Sequence, residues 1–221
     1  MSEYINIVEK QQCSGCSACE NICSKQAIQM KEDEEGFLLP FVDMEKCIQC
    51  GQCQVVCPKF NKVKRNKKIE NCIAAYNTDD NIRFHSSSGG VFYALAEYII
   101  EEKGVVFGAA FNKDFSVSHI FIDSINDINK LMGSKYIQSN TLKTYSEAKI
   151  FLNEGKKVLY CGTPCQIAGL KNFLKKDYDN LYTLDLVCHG VPSYKVFRKY
   201  LEELPTLKSY SFRDKEFVGW M

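Results

Sequence analysis

Cys13, Cys16, Cys19 and Cys23, followed by Cys47, Cys50, Cys53 and Cys57, are the residues of this chain whose types and spacing most clearly imply chemistry. Each set has the spacing CxxCxxCxxxC, and each cysteine of the second lies 34 residues after its counterpart in the first, so the pair is an internal repeat. Three cysteines at successive CxxC steps wrap three corners of a 4Fe-4S cube, while the fourth reaches the neighbouring cube. The spacing therefore predicts crosswise ligation: Cys13, Cys16, Cys19 and Cys57 on one cluster, Cys47, Cys50, Cys53 and Cys23 on the other. Zinc is the competing reading. Structural zinc sites pair two separated CxxC or CxxC/HxxxH units and have no use for a third cysteine two residues on.

This first quarter resembles the bacterial two-cluster ferredoxins. "KQAIQM" after the first run and "EEGFLLPFVDMEKC" before the second read as the short helix and hairpin that bracket the cysteine loops. Ser24 stands where that pattern carries proline, whereas Pro58 keeps it in the second run.

The remaining chain must position whatever these clusters serve. With 221 residues, 45% of them hydrophobic, it holds enough apolar side chain for a small domain and a larger one. A net charge of +1 argues for neither nucleic acid nor an anionic membrane as partner. The N-terminus lacks a signal-peptide pattern and no run of 18 apolar residues follows, so the expectation is a soluble, cytoplasmic protein with no integral membrane segment. Twelve cysteines in such a chain point to metal or redox chemistry rather than disulfides.

Three divisions are expected: a two-cluster domain over 1–60, a basic linker over 61–71 with Lys62, Lys64, Arg65, Lys67 and Lys68, and a second domain over 72–221. The linker reads as a solvated connection, with docking of an acidic electron-transfer partner as the alternative. Beyond it "NCIAAYN", "GVVFGAAF", "SVSHIFI", "KVLYCG" and "LYTLDLVC" read as strands. Helices are predicted over 90–103, with Val91, Leu95, Tyr98 and Ile99 on one face, in "TYSEAKIFLNEG" from a Thr144/Glu147 capping box to its close on Gly155, over 165–176 and over 193–203. The fold class that follows is an α+β ferredoxin-like two-cluster domain followed by an α/β domain with a mixed, largely parallel sheet.

Three strand-to-helix junctions are rich in Ser, Gly, Thr and Pro: "HSSSGG", "YCGTPCQ" and "VCHGVPS". Such loops expose backbone N–H groups to an anion, and they also serve as ordinary helix caps. The dinucleotide fingerprint GxGxxG and the Walker lysine loop are both absent. Cys161, Cys165 and Cys188 sit at two of these junctions; Cys165, at a helix N-terminus, is the better candidate nucleophile, relay thiol or metal ligand. Cys72 reads as a core residue of the first strand. His189 beside Cys188 is a candidate proton donor, whereas His85 and His119 offer nothing comparable.

The ordered set "SSGGVFYALAEYIIEEKGVVFGAAF", "LMGSKYIQS", "LYCGTPCQIAGL", "LDLVCHGVPS" and "FRDK" resembles the beta subunits of coenzyme F-420 hydrogenases and dehydrogenases, from about residue 71 to the last. The resemblance implies a flavoprotein that moves electrons between two 4Fe-4S clusters and, through FAD, a two-electron acceptor such as a deazaflavin coenzyme. It implies FAD binding by Ser87, Ser88, Gly89, Gly90, Lys135, Tyr136, Gly162, Thr163 and Cys165, with Cys165 and His189 as the catalytic candidates. Lys135 would offset pyrophosphate charge or stabilise a reduced, anionic flavin. The implied partner is a redox protein or a small-molecule electron carrier, and an oligomer is compatible with it. The family name leaves the acceptor open, and "SFRDKEFVGWM" stops where relatives continue, so a fragment is expected. The alternative class is a noncatalytic electron-transfer subunit that feeds a partner enzyme.

Overall fold

The computed structural model describes residues 10–62, 71–204 and 206–213. Most of the expected basic linker, including Lys64, Arg65, Lys67 and Lys68, lies outside the described residues, as do the last two residues of "FRDK".

In the N-terminal part, α1 (Ala18–Ile22) and α2 (Gln52–Val55) each start inside a cysteine run, and the antiparallel hairpin β1 (Ile28–Glu32) and β2 (Leu38–Val42) lies between them. The expected helix in "KQAIQM" does not form. Its apolar residues enter β1, where Ile28 pairs with Val42 and both are buried, and the helical turn forms inside the cysteine run. The two loops are conformational copies. Gly15 and Ser17 in the first have positive φ (66° and 60°), as do Gln49 and Gly51 in the second (54° and 70°). Each loop needs two left-handed residues and places glycine at only one of them.

The second part begins with α3 (Asp80–His85) and α4 (Val91–Glu101), followed by β3 (Val105–Phe111), β4 (Val117–Ile122), a 3-10 helix (Ile125–Lys130) and β5 (Ser139–Asn140). Then come α5 (Thr144–Asn153), β6 (Val158–Gly162), α6 (Pro164–Leu174), β7 (Leu181–Asp185) and α7 (Tyr194–Glu202). The sheet order is β5-β4-β3-β6-β7, with only β3–β4 antiparallel. The expected mixed, largely parallel sheet is therefore present.

Strand alternation builds the layers. Val105, Phe107, Val158 and Tyr160 face α5 and α6, burying against Tyr145, Ala148, Leu152, Ile167 and Leu170. Val106, Ala110 and Leu159, one residue out of phase, face α4 and the 3-10 helix through Ala96, Ile99, Ile128 and Leu131. Covered on both faces, β3 and β6 read as continuous apolar runs.

Four expectations fail locally. "NCIAAYN" joins no ladder and Cys72 is exposed; the segment instead lies against Gly89, whose carbonyl accepts the N–H of Asn77 at 2.6 Å. Helix α4 turns Ala96 and Ile99 inward, leaving Val91, Leu95 and Tyr98 on its outer side. The Thr144/Glu147 box does not form: Thr144 is buried within α5, bonded to the Thr141 carbonyl and the Tyr160 hydroxyl. Finally, "LYTLDLVC" is an edge strand that stops at Asp185, and Leu186, Val187 and Cys188 are exposed.

Candidate functional site

Cys13, Cys16, Cys19 and Cys57 line one cavity of about 190 Å³, together with Ser17 and Met30. Three of these thiols come from the first run and the fourth from the second, the crosswise set that the spacing predicts. The turn after each cysteine presents N–H groups back to sulfur: Gly15 to Cys13, Ala18 to Cys16, and Ala27 to Cys23 at 3.3 Å. Such donors stabilise a thiolate, which is the ligand form. Burial acts in the opposite direction, pushing the Cys16 thiol up to about 12 and Cys19 well above the usual range. These groups thus stay protonated until a cation displaces the proton.

Among the described residues no three Cys, His, Asp or Glu side chains could hold one metal ion. A four-iron cube spreads its thiolates over separate corners. A cavity lined by four cysteines, with backbone donors around the sulfurs, fits the cube. Cys23, Cys47 and Cys53 pack with Cys19, Cys57, Ile28 and Val42 in one apolar cluster, while Cys50 faces outward. The two sites meet at Cys19 and Cys53, whose thiols interact.

The first loop is built into the larger domain. Tyr145 on α5 donates toward the Cys16 carbonyl and the Gln166 carbonyl, both at 2.8 Å. The Thr141 hydroxyl adds a second donor to Cys16 at 3.2 Å. Gly169 of α6 lets the loop approach, since a Cβ there would sit 3.1 Å from the Cys16 sulfur and from the Tyr145 oxygen. Gly15 takes a positive φ that glycine adopts without strain, and a Cβ there would meet the Leu38 carbonyl at 2.9 Å and displace the Gln138 side chain. Gln138 in turn accepts the Leu38 N–H at 2.8 Å, tying the hairpin to the same body.

Helix α6 begins at Pro164 after Thr163, where Gln166 closes a capping box by accepting the Thr163 N–H at 3.0 Å. Cys165, in its first turn, contacts the Thr163 hydroxyl at 3.1 Å and lies close enough to Cys13 and Cys16 to interact with their thiols. The expected helix N-terminus is there, and it faces the first cysteine cavity. Cys161 is buried, its thiol pushed up to about 12, and Cys188 is exposed on the loop after β7. His189 is exposed beside it.

The residues expected at the flavin fall into two groups. At one, the Ser87 hydroxyl accepts the Ser134 N–H at 2.5 Å, and Arg213 donates to the Ser87 carbonyl at 2.9 Å and the Tyr136 hydroxyl at 2.8 Å. At the other are Gly162, Thr163 and Cys165. Lys135 lies between them: it interacts with Cys161 and His119, and its ammonium donates to the Met132 and Lys130 carbonyls at 2.7 and 3.3 Å. Burial lowers its pKa to about 8. Lys135 also lines a cleft of about 590 Å³ with Phe111, Met132, Gly133, Ser134 and Tyr210, a size suited to an organic cofactor. Ser88 is exposed. Gly89 and Gly90 are packed against the chain at 75–77, where a Cβ would meet the Ala75 carbonyl and Asn77.

His119, discounted in the sequence, is buried at the centre of this region. Nδ1 is 2.7 Å from the Ser139 hydroxyl, Nε2 is 3.1 Å from the Cys161 carbonyl, and the ring stacks on Tyr160 at 5.6 Å. Burial lowers its pKa to about 4. Its signal in the sequence was phase: it alternates with Val117 on the covered face of β4.

Among the described residues no helix is long and apolar enough to cross a membrane. The model of a 4Fe-4S dicluster domain matches residues 12–61. Models of the N-terminal and C-terminal parts of the coenzyme F420 hydrogenase/dehydrogenase beta subunit match residues 72–145 and 155–217. The chain is 26% identical over 190 residues to the coenzyme F420-dependent sulfite reductase of Methanocaldococcus jannaschii, covering 84% of this chain and 29% of that protein. It thus spans under a third of that relative's length. A chain of the F420-reducing [NiFe] hydrogenase complex from Methanosarcina barkeri superposes with a TM-score of 0.49 at 24% identity, over 58% of this chain and 47% of the other. The two beta-subunit models together span more than half of the chain, behind the 4Fe-4S dicluster domain, and the chain belongs to the coenzyme F420 hydrogenase/dehydrogenase beta subunit family.

Proposed function

We propose that this chain is an iron–sulfur flavoprotein oxidoreductase, passing electrons between two 4Fe-4S clusters and a two-electron acceptor such as a deazaflavin, with FAD as its organic cofactor. The observation that carries the reading is the joining of Cys57 to Cys13, Cys16 and Cys19 around one cavity, directly beside Cys165 and the start of α6. FAD, when bound, supplies exchange of electrons both singly and in pairs. Lys135 offers a buried cation at the cleft wall that favours an anionic ligand, and Tyr136 and Ser87 are held in place by Arg213. The exposed Cys50, with exposed Ile48, Val55 and Phe60 in its stretch of chain, gives the second site an outward side for a redox partner protein or small carrier.

A second reading, a noncatalytic electron-transfer subunit, is favoured by one observation: Gly89 and Gly90 are accounted for by the chain packed on them, not by a cofactor. Anaerobic purification of the chain and of a longer natural form, with iron, acid-labile sulfide and released flavin counted per polypeptide, separates the two. About eight irons with about one FAD supports the flavoprotein. About eight irons without flavin in either form leaves the electron-transfer subunit.

A further inference from the structure

Ser17 stands between the second and third cysteines of the first loop and directly precedes α1. A serine in that place ordinarily caps the helix by accepting an N–H from its first turn. Here its backbone is left-handed, at φ 60° and ψ 10°, and its side chain caps nothing. The residue is 1% exposed, and its hydroxyl oxygen has no hydrogen-bond partner. Burying a hydroxyl unpaired is unfavourable, and so is a non-glycine residue in this conformation. The same hydroxyl-bearing residue lines the cavity shared by Cys13, Cys16, Cys19 and Cys57.

The repeat supplies the control. The position equivalent to Ser17 in the second loop is Gly51, with φ 70° and ψ −2°, so the turn itself needs no hydroxyl. Two left-handed loops of the same shape therefore differ by one buried donor aimed at one of the two sites.

We propose that the Ser17 hydroxyl donates a hydrogen bond to a sulfur of the cluster held by Cys13, Cys16, Cys19 and Cys57, and so raises that cluster's reduction potential. The inference rests on the reading of this cavity as a 4Fe-4S site. Reduction adds negative charge to a cluster, and a donor on sulfur stabilises the more negative state more strongly. Ser17 acts as a tuning residue; it is not a ligand.

The test compares wild type with Ser17→Gly, which reproduces Gly51 and relieves the left-handed strain, and with Ser17→Ala as a second hydroxyl-free variant. Iron and sulfide are counted first, and each cluster's midpoint potential is then followed by EPR-monitored redox titration, with Cys23→Ser and Cys57→Ser variants assigning the signals. Both Ser17 variants are expected to keep the wild-type iron content, to shift the first cluster to a more negative potential while leaving the second unchanged, and to lose one exchangeable-proton coupling in ENDOR spectra. Unchanged potentials and proton couplings at full iron content would overturn the role of Ser17. A wild-type chain without a cluster that depends on Cys57 would instead overturn the reading of the cavity, and this inference with it.

Discussion

The two cysteine loops share spacing, backbone conformation and a hairpin between them, yet the chain treats them oppositely. Residues 15–19 of the first are all buried, whereas of their counterparts 49–53 only Cys53 is buried and Gln49, Cys50 and Gln52 are exposed. Cys16 has two hydroxyl donors on its carbonyl and α6 against its sulfur; Cys50 faces solvent. On the proposed cluster assignment, ligand spacing sets what each loop would bind, and the surrounding packing sets what each could exchange electrons with. One site opens to the outside and the other to the larger domain.

The largest expected effect breaks this pair apart. Cys57→Ser should remove the buried cluster and Cys23→Ser the exposed one, each lowering iron from about eight to about four per chain. Metal analysis with EPR distinguishes this from sequential ligation, in which Cys57→Ser would disturb the signal of the second loop. Gly169→Val comes next. Its side chain would enter the space occupied by the Cys16 sulfur and the Tyr145 hydroxyl, at a cost on the order of 1–3 kcal/mol. Denaturant unfolding should show the loss, and the buried cluster should be affected before the exposed one.

Tyr145→Phe removes a buried hydroxyl whose acceptors are the Cys16 and Gln166 carbonyls. The Thr141 donor to Cys16 remains, so a loss of about 1–2 kcal/mol in the same unfolding measurement is expected. A smaller and pH-dependent effect belongs to His119. Burial holds its folded pKa near 4, down from 6.5. The unfolded chain binds a proton in this window that the folded chain refuses, so stability falls as pH drops from 6.5 toward 4 and is unaffected by this group above 6.5. The contribution over that range is on the order of 3 kcal/mol if fully developed, only part of it reached at pH 5.5. The stability difference between pH 7 and pH 5.5 in unfolding curves should be smaller for His119→Gln than for wild type.

How much of this was legible in the sequence follows the range of the interactions involved. That Cys57 would join Cys13, Cys16 and Cys19 around one cavity was readable because the cysteine spacing is local and repeated. Strands β3 and β6 were readable because both faces are covered, which leaves uninterrupted apolar runs. The contacts that make the first loop differ from the second were not readable. Tyr145 and Cys16 are 129 positions apart, and no local pattern announces their meeting. Cys72 and the outer side of α4 were misjudged for a related reason: apolar character shows that a residue can be buried, while its neighbours decide whether it is. Thr144 looked like a cap, but the Tyr160 hydroxyl offered it a buried partner, and the capping box went to Thr163 and Gln166. Lys135 was singled out by its motif, while its place in the wall of a cleft, the support that Arg213 gives Tyr136 and Ser87 and the placement of His119 emerge only from the folded sheet.

The asymmetry of the two sites is tested most directly by challenging the anaerobically purified protein with an iron chelator and following iron release over time. Two phases of equal amplitude are expected, the slow one missing from Cys57→Ser and the fast one missing from Cys23→Ser. A single phase in the wild type, or a slow phase that survives Cys57→Ser, would contradict the assignment of Cys13, Cys16, Cys19 and Cys57 to the buried cluster.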